Sequence, residues 1–315
     1  MNNKRVLITG AAGFIGANLV RELLGQGARV HAIVRPATKL WRFAGIASEL
    51  TLHTGDLTDG ERLREIVGEV RPEIIFNLAA RGIVHSERNR WETVRTNVLC
   101  TANLLEVTSQ IDYQRLVHVG SSTEYGANSK PMKESDRLEP LTLFGASKAA
   151  ASLLCQQVSR TEKRPIVVLR PFSVYGHWEP PTRLIPTAIL AVLRNQTIDL
   201  TSPRYRRDFI FVEDVTEACI LAALSDKAVG QILNIGTGRQ WNNEEVVSMV
   251  QDVLGQKVEV RVGNFPPRVS DTDNWVSDTR KTRRLLSWEP HHSLHSGIEK
   301  SAAWFRQRLS AYGVS

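Results

Sequence analysis

Through the first half of the chain, short apolar runs alternate with segments in which apolar residues recur every three or four positions. The first pattern is typical of buried strands and the second of amphipathic helices. The predicted strands cover residues 5–9, 29–34, 50–53, 73–79, 116–119 and 166–169, and the predicted helices cover 14–24, 59–67, 91–107 and 142–158. Strands that alternate with helices indicate βαβ units, so the pattern predicts an α/β fold with a doubly wound parallel sheet.

The regular alternation ends after Pro171, where a proline-rich segment and shorter elements follow. We therefore expect a main domain over residues 1–171 and a smaller C-terminal lobe over residues 172–315. Apolar runs between residues 209 and 236 predict that this part of the lobe returns to the main sheet.

Composition and charge exclude several classes of protein. The chain has 315 residues, of which 42% are hydrophobic and 23% charged, as in an ordinary globular protein. Its net charge is +7, but basic residues are interspersed with acidic ones. The densest basic cluster, Arg204, Arg206 and Arg207, is followed at once by Asp208, so no nucleic-acid partner is expected.

The chain also lacks the signals of a membrane or secreted protein. No apolar stretch approaches the length of a membrane span, and the N-terminus runs directly into a strand pattern. Cys100, Cys155 and Cys219 are widely spaced, which favours reduced thiols over disulfides or a metal site. We therefore expect a cytoplasmic protein with no membrane partner and no metal.

A glycine-rich segment, TGAAGFIG, follows the first predicted strand and opens the first predicted helix. Gly10 permits a tight turn, Gly13 lets the backbone approach a pyrophosphate, and Gly16 allows the helix to pack closely on the strand. The free N–H groups at the start of the helix, at Phe14 and Ile15, would bind the phosphates. This context predicts a dinucleotide site, which makes the main domain a Rossmann domain and the lobe the substrate-binding part.

The ends of the next two strands bear on the choice of cofactor. No carboxylate ends the second predicted strand, where NAD-binding proteins place one for the ribose 2′-hydroxyl; Arg35 follows that strand instead. Arg35 is suited to a 2′-phosphate, so NADP is favoured over NAD, with a surface arginine as the alternative. Asp56 and Leu57 follow the third strand and are placed to contact adenine, although Asp56 is equally suited to cap a helix.

Eight motifs occur in order along the chain: TGAAGFIG, GDL at 55–57, NLAA at 77–80, GSSTEYG at 120–126, FGASK at 144–148, RPFSVYG at 170–176, RRDF at 206–209 and WEP at 288–290. Together they resemble the extended short-chain dehydrogenase/reductase family that acts on nucleotide-diphosphate sugars. The resemblance implies further cofactor contacts beyond the glycine-rich turn. These are expected at Leu78, Ala79, Ala80, Lys148, Pro171, Ser173 and Val174.

The resemblance also implies a catalytic group of Ser or Thr, Tyr and Lys. In the family the tyrosine stands four residues before the lysine, exchanges a proton with the sugar oxygen, and is assisted by the lysine, while the Ser or Thr hydroxyl orients that oxygen. Ser121 and Lys148 match this pattern, with Ser122 and Thr123 as the neighbouring hydroxyls. The tyrosine position is occupied by Phe144, which cannot exchange a proton.

Three explanations of Phe144 remain open. It is an engineered replacement that traps a bound substrate, or a natural residue in an enzyme that uses another acid or water, or the mark of a protein that has lost catalysis and only binds. The last explanation corresponds to a catalytically silent dinucleotide sensor rather than an enzyme.

The lobe and one loop supply the expected substrate contacts. Three arginines are candidates for the sugar-nucleotide diphosphate, because guanidinium groups bind phosphates in a bidentate manner: Arg183, Arg207 and Arg268. An ion pair of Arg207 with Asp208 or Asp214 is the structural alternative. The resemblance adds sugar contacts by Ser86, Ser121, Ser122 and Ser173, the last in place of a common asparagine.

The reaction is expected to take place at C4 of the hexose. Family members that dehydrate the sugar carry an Asp-Glu pair directly after the catalytic hydroxyl, and here Ser122 and Thr123 stand in its place. GSSTEYG is similar to the motif of nucleotide-linked 4-keto-6-deoxyhexose reductases, which with Arg35 favours a 4-keto reductase that uses NADPH. The alternative is a 4-epimerase with retained NAD. The family often forms homodimers through two helices, here residues 91–109 and 142–160, so a homodimer is expected.

Overall fold

The computed structural model of the chain describes residues 1–82 and 89–312. Its strands are β1 (Arg5–Thr9), β2 (Arg29–Val34), β3 (Thr51–Thr54), β4 (Ile74–Asn77), β5 (Arg115–Val119), β6 (Ile166–Pro171), β7 (Ser173–Tyr175), β8 (Ile198–Leu200), β9 (Arg206–Arg207), β10 (Phe209–Phe211), β11 (Ile232–Ile235), β12 (Trp241–Asn242) and β13 (Val260–Val262). Its helices are α1 (Phe14–Gly25), α2 (Gly60–Val70), α3 (Arg90–Val94), α4 (Cys100–Thr108), α5 (Leu143–Thr161), α6 (Leu184–Leu193), α7 (Val212–Leu224), α8 (Asn243–Leu254), α9 (Arg280–Leu286) and α10 (Leu294–Arg306).

Seven parallel strands form the main sheet, in the order β11-β6-β5-β4-β1-β2-β3. The chain starts in the middle of the sheet, builds outward to β3, and then returns to add β4 on the other side of β1. The strand order therefore reverses between β1 and β4, and such a reversal opens a crevice at the carboxyl ends of the strands. The predicted α/β fold with a doubly wound parallel sheet is confirmed.

Alternate residues of each central strand face opposite sides of this sheet, and helices cover both sides. Val6 and Ile8 belong to the core formed with α1 and α7, whereas Leu7 belongs to the core formed with α2, α4 and α5. Burial on both faces explains why these strands are almost continuously apolar. The layers fix the carboxyl ends of β1, β4 and β5 side by side.

The C-terminal lobe has a core of its own. Helices α6, α8 and α10 pack together over short strands, and their apolar residues form a separate buried cluster. Of the segment expected to return to the main sheet, β11 pairs with β6 at the sheet edge and α7 packs against α1 and β5. The first part of that segment, β10, pairs instead with β7 in a two-stranded sheet outside the main one.

One predicted helix differs from the sequence pattern. The spacing of apolar residues predicts a continuous helix over 91–107, but a π-helical segment, Arg95–Leu99, separates α3 from α4. A π turn accommodates one more residue than an α turn and changes the direction of its side chains. Within this segment Asn97 is buried and points to the loop after β4.

Three further findings concern the whole of the described chain. No helix in the described ranges is both long and apolar enough to cross a bilayer. The described His, Cys, Asp and Glu residues form no group that could hold a metal ion. The three cysteines are free and buried.

Candidate active site

The glycine-rich turn between β1 and α1 approaches the end of β4. Gly10 has a φ of +69°, and a Cβ there would lie 2.6 Å from the backbone nitrogen of Ala79 and overlap the backbone of Leu78. A Cβ on Gly16 would overlap the carbonyl oxygen of Gly10. The N-cap of α1, Gly13, offers no side chain to the free N–H groups of the first turn. The turn therefore has the shape and the unpaired donors that a dinucleotide pyrophosphate requires.

Asp56 lies beyond β3, near the exposed side chain of Arg35. Its carboxylate accepts hydrogen bonds from Thr58 N–H at 2.9 Å and Thr58 Oγ1 at 2.8 Å. Partial burial opposes ionisation, but these bonds and the charges of Arg95 and Arg35 outweigh it and lower the pKa of Asp56. The N-cap of α2 is Asp59, which accepts from Arg62 N–H, so capping this helix does not require Asp56.

Arg42 places a cation at the glycine-rich turn, and no sequence motif indicates it. One of its terminal nitrogens lies 3.4 Å from the carbonyl oxygen of Ala12, and its Nε donates to Trp178 O at 2.9 Å. The guanidinium also stacks 4.4 Å from the ring centroid of Trp41. The position depends on contact with a distant loop, so no local pattern could have identified it.

Ser121 lies at the carboxyl end of β5, where it caps a short 3-10 turn formed by Ser122–Glu124. Its Oγ accepts hydrogen bonds from Thr123 N–H at 3.2 Å and from Thr123 Oγ1 at 2.8 Å. Ser122 is buried, and its Oγ accepts from Trp275 Nε1 at 3.1 Å. The two serines therefore differ: Ser122 is held by the lobe, whereas Ser121 is paired with Thr123. We call residues 121–124, which contain the predicted catalytic residue Ser121, the catalytic turn.

A buried ion pair between Glu124 and Arg170 stabilises the catalytic turn. Glu124 accepts the N–H of Ser121 at 2.8 Å and the hydroxyl of Ser152 at 2.9 Å, and its other oxygen lies 2.7 Å from Arg170 Nε. Burial opposes the charge of Arg170, but Glu124 and Tyr125 outweigh it and raise the pKa of the guanidinium. Burial raises the pKa of Glu124, against the opposing charge of Arg170 and the N–H of Ser121. Glu124 and Arg170 both stand inside family-like motifs, but nothing in those motifs indicates that the two side chains pair.

Lys148 and Phe144 stand one helical turn apart at the start of α5, which Thr142 caps. Lys148 is buried, and its Nζ donates to Val119 O at 2.5 Å, two residues before the catalytic turn. Burial lowers the pKa of Lys148 to about 8, against the opposing charge of Glu124. Phe144 is partly buried, and its ring carries no group that exchanges a proton.

The π-helical segment brings Asn97 to the same region. Its side chain accepts from Arg81 N–H at 2.8 Å and donates to Arg81 O at 2.9 Å and to Ser147 Oγ at 2.8 Å. Ser147 Oγ in turn donates to Phe144 O. Asn97 therefore ties the loop after β4 to the first turn of α5, a role that the sequence could not reveal because a π turn has no distinctive pattern.

The three candidate arginines of the lobe lie close enough for their charges to interact: Arg183, Arg207 and Arg268. Arg207 is mostly buried; desolvation lowers the pKa of its guanidinium, Asp271 opposes that effect, and the like charges of Arg268 and Arg183 add to it. Its ion-pair partner is Asp271 at 3.0 Å, so the structural alternative, a pairing with Asp208 or Asp214, is wrong.

Those two carboxylates are occupied elsewhere. Asp208 accepts from residues 237, 238 and 277, and Asp214 accepts from His291 and His292. The positive charges of Arg183, Arg207 and Arg268 lie near one another, and such a cluster is typical of a site for a polyanion.

Several of the remaining predicted contacts lie near the carboxyl ends of β4 and β6. Ala80 follows Ala79 in the loop after β4, and Pro171 ends β6. Ser173 and Val174 form β7, where Ser173 N–H donates to Asp208 O. Ser86 lies outside the described residues. Phe14 and Ile15 begin α1, and Leu57 follows Asp56, as the motifs require.

Comparison with known proteins identifies the family. The profile of the NAD dependent epimerase/dehydratase family matches residues 6–236. The chain is 27% identical to a UDP-glucuronate 4-epimerase of Thermodesulfobacterium geofontis, over 96% of either chain. It is 28% identical to a dTDP-glucose 4,6-dehydratase of Xanthomonas campestris, over 95% of this chain and 92% of that one.

A solved structure gives the same result. The UDP-glucuronic acid 4-epimerase of Bacillus cereus, in complex with UDP-glucuronic acid and NAD, superposes with a TM-score of 0.86 at 25% identity, over 96% of this chain and 99% of that one. The profile match spans more than half of the chain and contains the glycine-rich turn, the catalytic turn and Lys148. The chain therefore belongs to the NAD dependent epimerase/dehydratase family, as a nucleotide-sugar enzyme of the extended short-chain dehydrogenase/reductase type that uses a nicotinamide dinucleotide.

Proposed function

We propose that the protein carries out hydride transfer at C4 of the hexose of a nucleotide-diphosphate sugar. The observation that carries this proposal is the link between the arginines and the catalytic turn. Arg207 stacks 5.0 Å from the ring centroid of Trp275, and Trp275 donates a hydrogen bond to Ser122, the neighbour of Ser121. A diphosphate bound by the arginines would thus be one indole ring away from Ser122, with its sugar near Ser121.

Within this reaction class we propose reduction of a 4-keto-6-deoxyhexose as the activity. The motif GSSTEYG and the cation at the end of β2 support it. A 4,6-dehydratase is disfavoured because Ser122 and Thr123 stand where dehydratases of the family carry an acid and a base. Hydroxyls of this kind neither protonate a leaving hydroxyl nor remove a carbon-bound proton efficiently.

C4 epimerisation is the second candidate. The similarity to 4-epimerases from Thermodesulfobacterium geofontis and Bacillus cereus favours it. A reductase consumes one reduced cofactor for each sugar, whereas an epimerase interconverts two sugars without net change in the cofactor. Product analysis with dTDP-4-keto-6-deoxyglucose plus NADPH, and with UDP-glucuronic acid plus NAD, separates the two activities. A chain that binds cofactor but no sugar nucleotide would be the silent sensor instead.

Arg207→Ala tests the proposed site directly. We expect this variant to lose sugar-nucleotide affinity about 10-fold to 100-fold, because a charge-assisted contact to the diphosphate disappears. Its affinity for the dinucleotide should not change. Arg206→Ala is the matched control, since Arg206 is adjacent but pairs with Glu245 in the lobe. Calorimetric titration with UDP-glucose measures the sugar-nucleotide affinity of each variant, and titration with the dinucleotide measures the other affinity. Equal losses of UDP-glucose affinity in the two variants would contradict the proposed site.

We also propose that the cofactor is NADP in preference to NAD. Arg35 supports this preference, because its exposed guanidinium stands at the end of β2 beside Asp56 and no carboxylate occupies that strand end. Arg35→Asp should weaken NADP binding about tenfold or more while affecting NAD little. The matched control is Arg64→Asp, an exposed arginine on α2. If wild-type protein binds NAD more tightly than NADP, the preference is wrong.

A further inference from the structure

The position of Phe144 raises the question of which group supplies the proton that a phenol supplies in related enzymes. The first turn of α5 packs directly on the catalytic turn, because a Cβ on Gly145 would overlap the carbonyl oxygen of Thr123. Thr123 is therefore the residue of the catalytic turn that adjoins the segment carrying Phe144. Thr123 is a partly exposed residue, which gives solvent access to this part of the turn.

The hydrogen bonds around Ser121 Oγ leave its proton available. A hydroxyl oxygen accepts two hydrogen bonds and donates one. Both acceptor positions of Ser121 Oγ are used by Thr123, through its N–H at 3.2 Å and its Oγ1 at 2.8 Å. With Thr123 as the donor in both contacts, Ser121 Oγ keeps its own proton for a group outside the turn.

The other candidates near Ser121 are occupied. Ser122 Oγ accepts from Trp275 and is buried. Glu124 is completely buried, with its oxygens bonded to Ser121 N–H, Ser152 and Arg170. The Tyr125 hydroxyl is buried and donates to Asn234 Oδ1 at 2.7 Å. Among the described residues of the catalytic turn, only Thr123 combines a hydroxyl bonded to Ser121 Oγ with partial exposure of the residue.

We propose that Thr123 and Ser121 form a two-hydroxyl proton relay that replaces the missing phenol. This inference rests on the proposed function. A bound dihydronicotinamide would supply the hydride that converts the sugar carbonyl to an alkoxide. The alkoxide oxygen takes the proton of Ser121 Oγ, Ser121 Oγ takes the proton of Thr123 Oγ1, and Thr123 Oγ1 takes one from water.

The step balances. The carbonyl π bond is replaced by a C–H and an O–H bond, the dinucleotide is oxidised by two electrons, and one proton leaves the solvent. In the oxidative direction every transfer reverses. The buried ammonium of Lys148 lies behind the same turn and favours the transient negative charge on the sugar oxygen.

Thr123→Val tests the relay, because valine keeps the shape and the backbone N–H but removes the hydroxyl. We expect kcat to fall about 100-fold, the range over which a positioned acid or base contributes. Thr123→Ser restores a hydroxyl and should stay within about fivefold of wild type. Titration with NAD and with UDP-glucuronic acid should give unchanged affinities for both variants, which also establishes that they fold.

Phe144→Tyr, alone and combined with Thr123→Val, completes a double-mutant cycle that tests whether the relay replaces the phenol. A phenol at 144 provides its own proton, so turnover should rise and the cost of Thr123→Val in this background should shrink to less than about fivefold. The solvent deuterium isotope effect on kcat should indicate more than one proton in flight for wild type and fall toward a single proton in Phe144→Tyr.

The outcomes separate the two proposals. If wild type turns over and Thr123→Val is as active as wild type, or costs the same in both backgrounds, the relay is overturned and the proposed function stands. If the chain with Phe144 gives no product from dTDP-4-keto-6-deoxyglucose with NADPH or from UDP-glucuronic acid with NAD but Phe144→Tyr does, the relay is overturned and the proposed function stands. If neither protein gives product from either pair, both the relay and the proposed function are overturned.

Discussion

Glu179 is a carboxyl group enclosed at the edge of the lobe, where its side chain is 3% exposed. Its Oε2 accepts the N–H of Gly176 at 3.2 Å, and its Oε1 lies 3.5 Å from Arg183 Nε. Burial raises the pKa of Glu179 from 4.5 to about 7, although Arg183 and Gly176 oppose the rise. A folded protein that holds this proton more tightly than the unfolded chain is most stable when the proton is bound.

The raised pKa of Glu179 predicts a pH-dependent loss of stability. Its contribution is fully present below about pH 4.5 and is lost as the pH rises through about 7. Glu179→Gln keeps an acceptor for Gly176 without the charge, so its melting temperature should exceed that of wild type increasingly across this window. Thermal unfolding at several pH values measures the difference. Glu22→Gln, at an exposed position on α1, is the control; parallel curves for wild type and Glu179→Gln would refute the prediction.

Residues of the site differ in how far the sequence identifies them. Gly10, Ser121 and Lys148 stand in motifs whose spacing carries their chemistry, so the order of residues along the chain is enough to propose them. Arg42 could not be proposed in this way, because it acquires its role from a contact with Trp178, 136 residues away in the chain. Asn97 could not be proposed because the π turn that directs its side chain has no distinctive sequence pattern. The alternative partners considered for Arg207 were carboxylates close to it in the sequence, whereas its partner Asp271 is 64 residues away.

At the scale of elements, the start of α5 and the catalytic turn form one packed unit. Gly145 lies in this contact, and no side chain fits there without moving the turn. The sequence pattern predicted the helix, because its apolar residues recur at helical spacing. The pattern contained no sign of the contact, which depends on the absence of a side chain. The π-helical segment before α4 was missed in the same way, since one inserted residue barely alters the spacing of apolar positions.

This contact predicts opposite effects of one substitution at two helical glycines. Gly145→Ala should destabilise the protein by about 1–3 kcal/mol through overpacking and should displace Thr123. Gly68→Ala on α2 should stabilise it by about 0.5–1 kcal/mol, because a Cβ there meets nothing within 4 Å and alanine favours the helix. Urea unfolding measures both changes. Equal effects of the two substitutions would contradict the packing described for Gly145.

At the scale of the whole molecule, the helices beside the catalytic turn leave apolar side chains without cover. Trp91 on α3 is 67% exposed, Leu99 in the π-helical segment is 42% exposed, and Leu153 on α5 is 51% exposed. Helices α3, α4 and α5 pack side by side, so these residues belong to neighbouring elements. Large exposed apolar residues on adjacent helices are typical of a surface that is buried in an assembly.

We propose that two copies of the chain pair through this surface as a homodimer, the arrangement that the resemblance implies for residues 91–109 and 142–160. Because a twofold interface brings the same patch together twice, Leu153→Glu places two carboxylates in it and should shift the protein to the monomer. Leu224→Glu is the matched control, since Leu224 is 54% exposed at the end of α7 and outside the surface. Light scattering after size exclusion measures the mass of each variant. A monomeric wild type, or equal behaviour of the two variants, would contradict the proposal.

Since α5 also carries Lys148 and adjoins the catalytic turn, we expect the monomer to bind UDP-sugars with lower affinity than the dimer.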